Sequence, residues 1–184
     1  MVELFPDQSV VVIVDWQEKL AAVMPPELRE HNLRKACILV QGARAAGVPI
    51  LLTEQYPKGL GHTVPELREA LGDAQKPIEK RDFAATALGT FKDALQATGR
   101  SHVVLAGMES HICVYQTARG LLDEGYVVHV AMDAVLSRAK ADWRAAMALC
   151  AQCGCVTTSV EAVLFDWAKK GEGPLFKEVS RLVR

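Results

Sequence analysis

No stretch of this 184-residue chain is apolar for long enough to cross a bilayer: the strongest run, VVVIV at 10–14, is far short of the roughly 20 residues a helical span needs. No charge of one sign dominates either. The 21 lysines and arginines face 22 aspartates and glutamates, the net charge is −1, and the basic residues are scattered rather than blocked together. A nucleic-acid binder draws its affinity mainly from phosphate neutralisation, so neither nucleic acid nor membrane is an expected partner. The opening MVELFPDQS has no basic segment followed by an apolar stretch, as a secretion signal would. The five cysteines, at 37, 113, 150, 153 and 155, are an odd number in a mid-sized chain, so the expectation is reduced thiols and a soluble, cytoplasmic protein without a disulfide framework. Internal repeats and low-complexity segments are absent.

Half of the residues are hydrophobic, enough for a core on both faces of a sheet, and the length suits one domain over 1–184. Short β-branched runs alternate with helix-period segments, which predicts an α/β fold: a Rossmann-like three-layer αβα sandwich around a mainly parallel six-stranded sheet. The strands are read at 9–14, 48–53, 77–79, 102–107, 127–132 and 155–159. The clearest helices are 29–46, 86–98, 113–124 and 140–152, ended by Gly47, Gly99, Gly125 and Gly154. The stretch EQYPKGLGHTVPEL, 54–67, reads as the only long connection with little regular structure.

Right-handed crossovers keep such strands parallel, so their C-terminal ends share one edge, where ligands bind. Three residues stand just beyond strands: Asp15 after VVVIV, Lys80 after PIE, and Cys113 after HVVLAG and the polar turn MESHI. A thiol becomes a good nucleophile as a thiolate, and a helix N-terminus with a nearby cation lowers its pKa. Position gives Cys113 the first, and Lys80 would supply the second. Asp15 would take the thiol proton and return it to a leaving amine, while N–H groups of the turn would face a developing oxyanion. Each residue also has a plain structural role open to it: Cys113 as packing, Asp15 as a helix cap, Lys80 as a surface lysine.

These residues lie in motifs that resemble the isochorismatase-like cysteine hydrolases. IVDWQEKL resembles the family's first motif, an aspartate ending the first strand with a glutamine two residues on. EKRDFAA resembles its lysine motif, and GMESHICVYQTARGLLDEGYVVHVAMDAVLSR resembles its nucleophile segment. The loop TEQYPKGLG at 53–61 looks most like the isochorismatase-domain-containing subgroup. The resemblance implies a catalytic triad of Asp15, Lys80 and Cys113, a cis peptide at Met108-Glu109, and an oxyanion hole from the backbone N–H groups of Glu109 and Cys113. It further implies a small-molecule substrate, no cofactor, and a homo-oligomer, whether dimer, tetramer or larger.

Departures from the family pattern narrow the activity. Nicotinamidases of this superfamily hold a metal through an Asp-x-His pair and a further histidine after the second strand; EQYPKGLGH has no such pair, so no metal is expected. Isochorismatases proper hydrolyse a vinyl ether and commonly lack the cysteine. Its presence at 113 favours cleavage of a small amide, imide or carbamoyl compound through a thioester. The alternatives are a catalytically weak binding or scaffold oligomer and a vinyl-ether hydrolase. Ala84 stands where the family often has serine.

Gln17, Tyr56, Phe83 and His111 are candidate pocket walls, with Trp16 and Trp143 also considered, and Arg138 is expected to pair with an acid and fix its loop. GLGHTV at 59–64 lacks the third glycine of a dinucleotide fingerprint and does not join the first strand to its helix. Cys150, Cys153 and Cys155 form C-x-x-C-x-C without a second ligand pair at a usual spacing, which reads as packing rather than zinc.

Overall fold

A computed structural model describes residues 3–72 and 75–184. Six strands, β1 (Ser9–Val14), β2 (Ile50–Gln55), β3 (Ile78–Lys80), β4 (His102–Met108), β5 (Val127–Leu136) and β6 (Val156–Thr158), form one sheet in the order β3-β2-β1-β4-β5-β6. Every pairing is parallel. The chain builds outward from β1 to one side and then returns to add β4, β5 and β6 on the other. The β1/β4 boundary is therefore the point where strand order reverses, the place at which open parallel sheets bind ligands outside the strands' C-terminal ends.

The β1 residues alternate between the two faces. Val11 and Ile13 join a core with helices α2 (Pro26–Ala45) and α8 (Val160–Ala168), while Val10, Val12 and Val14 join a second core with α5 (Gly89–Ala97), α6 (Tyr115–Asp123) and α7 (Lys140–Cys153). β4 divides in the same way, with Val104, Ala106 and Met108 on one side and Val103 and Leu105 on the other. Strands buried on both faces have no polar side to show, which is why they read as unbroken apolar runs.

The differences from the sequence reading are local. β5 continues to Leu136 rather than stopping at 132, because its register against β4 jumps between Leu105 and Gly107 and the polar Asp133 falls in the irregular part. The helix read as 86–98 begins later, since Leu88 is extended (φ −93°, ψ 129°) and separates a 3₁₀ turn, Ala85–Ala87, from α5. The connection at 54–67 is more ordered than read: Pro57 and Pro65 start two short helices, α3 (Pro57–Leu60) and α4 (Pro65–Leu71). The buried Glu54 also accepts hydrogen bonds from the Thr63 N–H and hydroxyl, both at 2.7 Å. The short α1 (Glu18–Ala22), α8 and the C-terminal α9 (Pro174–Leu182) complete the chain.

One glycine is demanded by the site itself. Gly107, one residue from the end of β4, has φ +140°, and a Cβ there would lie 2.1 Å from the Val14 carbonyl oxygen. No other residue type lets β4 approach the end of β1 so closely.

Candidate active site

Asp15 leaves β1 with φ +52°, a left-handed conformation that aspartate tolerates better than most residues and that turns the chain sharply at the end of the strand. Its N–H still donates to the Thr53 carbonyl at 3.2 Å, so the carboxylate is aimed from a backbone tied to β2. The Thr53 hydroxyl donates to Asp15 Oδ1 at 2.7 Å. The other oxygen, Oδ2, meets Lys80 Nζ at 2.6 Å in an ion pair whose side chains are both 0% exposed. That approach is close but not aligned as a hydrogen bond, so Oδ2 is held by the ion pair without an aligned donor.

Lys80 ends β3 directly opposite Gln55 in the parallel register. Besides Asp15, its ammonium donates to Gln55 Oε1 at 2.7 Å and to the carbonyls of Phe83 at 3.0 Å and Asp82 at 3.2 Å. This oxygen cage compensates the loss of water around a buried cation. The turn supplying those carbonyls is fastened to α6, since the Ala85 N–H donates to Thr117 Oγ1 at 3.0 Å.

Cys113 comes from the other side of β1, in the segment that follows β4. The peptide between Met108 and Glu109 is cis, and the chain passes through a π-helical turn, Ser110–Val114, before α6. Cys113 is thus the fourth residue of that turn, not the first residue of the helix. Its side chain, 6% exposed, lies within hydrogen-bonding reach of both Asp15 and Lys80. Three residues distant in sequence therefore meet around one point.

The electrostatics differ from the reading of a thiolate at rest. Burial pushes the Cys113 thiol up from 9.0 to about 12, and the Asp15 carboxylate pushes the same way, while Lys80 offsets part of the rise. At neutral pH the resting group is a thiol, because burial and the Asp15 charge outweigh the help from Lys80. Iodoacetamide near pH 7.5 should therefore label the exposed Cys153 ahead of Cys113, reversing the order that an activated thiolate would give. Labelling of Cys113 should accelerate only well above pH 9, which site-resolved mass spectrometry over a pH series would measure; fast Cys113 labelling at pH 7 would show that the free enzyme holds a thiolate.

The remaining wall candidates take varied positions. Gln17 is fully buried, but its side chain is spent on backbone: Nε2 donates to the Gln55 carbonyl at 3.0 Å and the Gly61 carbonyl at 2.6 Å, and Oε1 accepts from the Gln55 N–H at 2.7 Å. It clamps the loop after β2 rather than offering free polar groups to a pocket. The Tyr56 ring is half-exposed beneath the Arg81 guanidinium, 3.9 Å from its centroid, with Gly59 close on its edge. Phe83 exposes its ring and serves the site through its carbonyl. His111 Nδ1 lies 3.0 Å from the Ser137 hydroxyl, which ties the π turn to the end of β5. Trp16 is fully buried, and Trp143 donates to the Met132 carbonyl at 3.3 Å.

Arg138 forms the ion pair expected of it, and its partner is Glu109. Glu109 Oε2 accepts from the Arg138 backbone N–H at 3.0 Å and from Nε at 3.1 Å, bracing the turn that carries Cys113. Thr53 and Gln55, which hold Asp15 and Lys80, were missed by the sequence reading. Gln55 ends β2 and Thr53 lies two residues before it, so both stand near the same sheet edge, but neither side chain carries a charge or nucleophile to mark it in the sequence. Among the described residues, no group of three histidine, cysteine, aspartate or glutamate side chains is placed to hold a metal ion, and no helix is long and apolar enough to cross a membrane.

Comparison with known proteins gives a consistent result. A family model described as the isochorismatase domain matches residues 9–162. Isochorismatase domain-containing protein 2 from Xenopus laevis is 35% identical over 177 residues, 95% of this chain and 83% of that protein. Isochorismatase domain-containing protein 1 from Danio rerio is 37% identical over 146 residues, 79% of this chain; the match takes in only 51% of that protein, so this chain spans about half its length. A solved structure described as MAR1 ribonuclease from Caenorhabditis elegans superposes with a TM-score of 0.91 at 35% identity, covering 98% of this chain and 92% of that one.

Proposed function

The chain belongs to the isochorismatase family of hydrolases, and from that membership and the site geometry we propose that it is a cofactor-independent cysteine hydrolase of a small amide, imide or carbamoyl compound. The observation that carries the proposal is the buried 2.6 Å contact between Lys80 Nζ and Asp15 Oδ2, with the Cys113 thiol against both. A lysine whose only task was to neutralise Asp15 would not need a thiol beside it.

In the proposed mechanism Asp15 is the general base. As the carbonyl carbon approaches, Cys113 gives its proton to Asp15 Oδ2 while its sulfur forms the new bond. Proton loss and attack are coupled because the thiol holds its proton strongly at rest. The carbonyl oxygen becomes an oxyanion, which the N–H groups of Glu109 and Cys113 face in this reading. Lys80 offsets the negative charge as it leaves the carboxylate and passes through the sulfur to the carbonyl oxygen. Collapse of the adduct breaks the C–N bond, and the amine leaves with the proton from Asp15. A thioester remains; Asp15 then takes a proton from water, whose oxygen attacks the acyl carbon and releases the acid and the thiol. No step needs a cofactor or metal. The assembly proposed with this reading is a homo-oligomer acting on a small molecule.

The test is a panel of small amides, imides and carbamoyl amines, quenched in acid during turnover and analysed by intact-mass and peptide mass spectrometry. The expected result is a substrate-derived acyl mass on Cys113, discharged by hydroxylamine. Turnover with no adduct on Cys113 under any quench would overturn the thioester route. Single-stranded RNA belongs in the same panel, because the Caenorhabditis elegans structure is described as a ribonuclease. Cleavage of RNA with no amide turnover would replace the amide reading.

A further inference from the structure

The cysteine-rich segment at the end of α7 is unused by the proposed chemistry, and the backbone there has a defined form. Gly154 takes φ +101°, its N–H donates to the Ala151 carbonyl at 3.1 Å, and the Cys155 N–H reaches back to the Cys150 carbonyl at 2.9 Å. Those two bonds make a Schellman motif, whose geometry brings the side chain two residues past the helix cap onto the side chain in the last turn. Here both of those side chains are thiols. Cys150 is fully buried and Cys155 is 8% exposed, and both belong to the same apolar core. The 2.9 Å backbone bond keeps their Cα atoms within roughly 7 Å, the span a disulfide bridges. Cys153 is turned elsewhere, exposed and 3.8 Å from the Tyr115 hydroxyl.

We propose that Cys150 and Cys155 are a reversible dithiol–disulfide site, closed by peroxide and opened by thiols, with Cys153 outside the bond. One of the two thiols loses its proton and attacks one peroxide oxygen; the O–O bond breaks, one water leaves, and the sulfur is a sulfenic acid. The other thiol then attacks that sulfur, the S–S bond forms, and a second water departs with the thiol proton. Two thiols have lost two electrons and the peroxide has gained them. Because the turn already holds the two residues at a span a disulfide bridges, closure crosslinks the end of α7 to the start of β6 with little movement of the backbone.

The experiment uses the full chain, treated with hydrogen peroxide, alkylated and digested with trypsin. All three thiols fall in one peptide, residues 145–169. The expected product is that peptide lighter by two hydrogens, carrying one alkyl group on Cys153. The oxidised protein should melt about 3 °C higher, reversed by dithiothreitol, as for a small crosslinked loop. Cys150→Ser should abolish both changes and Cys153→Ser neither. A bond that includes Cys153, within one chain or between two, would overturn the proposal, as would three alkylated thiols after peroxide. The result is independent of Cys113, and the same digest reports that residue on a separate peptide.

Discussion

Cys113→Ala is expected to lower kcat/KM for an amide substrate by about 10⁴-fold or more while leaving the fold intact. The two halves of this expectation have separate causes. The thiol is the only proposed source of the new covalent bond, and without it the site retains only binding and oxyanion contacts. Structurally, truncation removes one sulfur from a nearly closed site, at a cost of about 1 kcal/mol, and leaves the Asp15–Lys80 pair and its hydrogen bonds in place. Circular dichroism and a denaturant midpoint close to wild type would make the kinetic loss interpretable. Cys113→Ser separates nucleophilicity from shape: the hydroxyl fits, but Asp15 is too weak a base for it, so activity should stay near the alanine level. If amide hydrolysis survives Cys113→Ala, the thioester mechanism is wrong; the vinyl-ether alternative, in which the acid alone does the chemistry, is favoured if a vinyl ether is hydrolysed equally well by wild type and Cys113→Ala. If the wild type turns over nothing while a small carboxylic acid raises its melting temperature, the site binds without catalysing.

The residues that could be read from the sequence are those whose position depends on topology alone. Alternating strands and helices fix a parallel sheet, a parallel sheet fixes a common edge, and Asp15, Lys80 and Cys113 stand at that edge whatever their side chains do. Thr53 and Gln55 stand there too, but threonine and glutamine carry no charge or nucleophile to single them out, and only the hydrogen bonds from Thr53 to Asp15 and from Lys80 to Gln55 reveal their task. Gln17 failed in the opposite direction, since a polar residue beside a catalytic candidate looks like a pocket wall until its amide is seen spent on the Gln55 and Gly61 backbone. The ionisation of Cys113 was beyond reach for a further reason. A helix N-terminus can be recognised in sequence, whereas the depth of the thiol, which here raises its pKa, follows from tertiary packing. The irregular run of β5 through Asp133 and the extended Leu88 are likewise set by neighbours in space.

Lys80→Met is the substitution expected to cost the fold most. Methionine fills much the same volume, so little empty space is left behind. What remains is an uncompensated carboxylate at 0% exposure, with Gln55 Oε1 and the carbonyls of Asp82 and Phe83 deprived of their donor. Removing one member of a buried ion pair typically costs about 3–5 kcal/mol, most of it the penalty of the charge left behind. Asp15→Asn should cost less, about 1–2 kcal/mol, because the ammonium keeps three oxygen acceptors and asparagine tolerates the left-handed backbone at this position. The double variant then decides between two accounts of the pair. If most of the cost comes from the charge left on Asp15, Asp15→Asn combined with Lys80→Met is more stable than Lys80→Met alone, with a coupling energy of about 2 kcal/mol or more in urea denaturation. Additive costs would mean that Lys80 stabilises the fold through its carbonyl and Gln55 contacts, independently of the carboxylate. In that case the close approach of Lys80 to Asp15 would be a consequence of the fold, and its persistence beside a thiol would have to be explained by chemistry alone. Neither single variant should retain amide turnover, since one lacks the base and the other lacks the cation beside it. A recovery of stability without recovery of activity in the double variant would show that the pair is kept for the reaction and not for the fold.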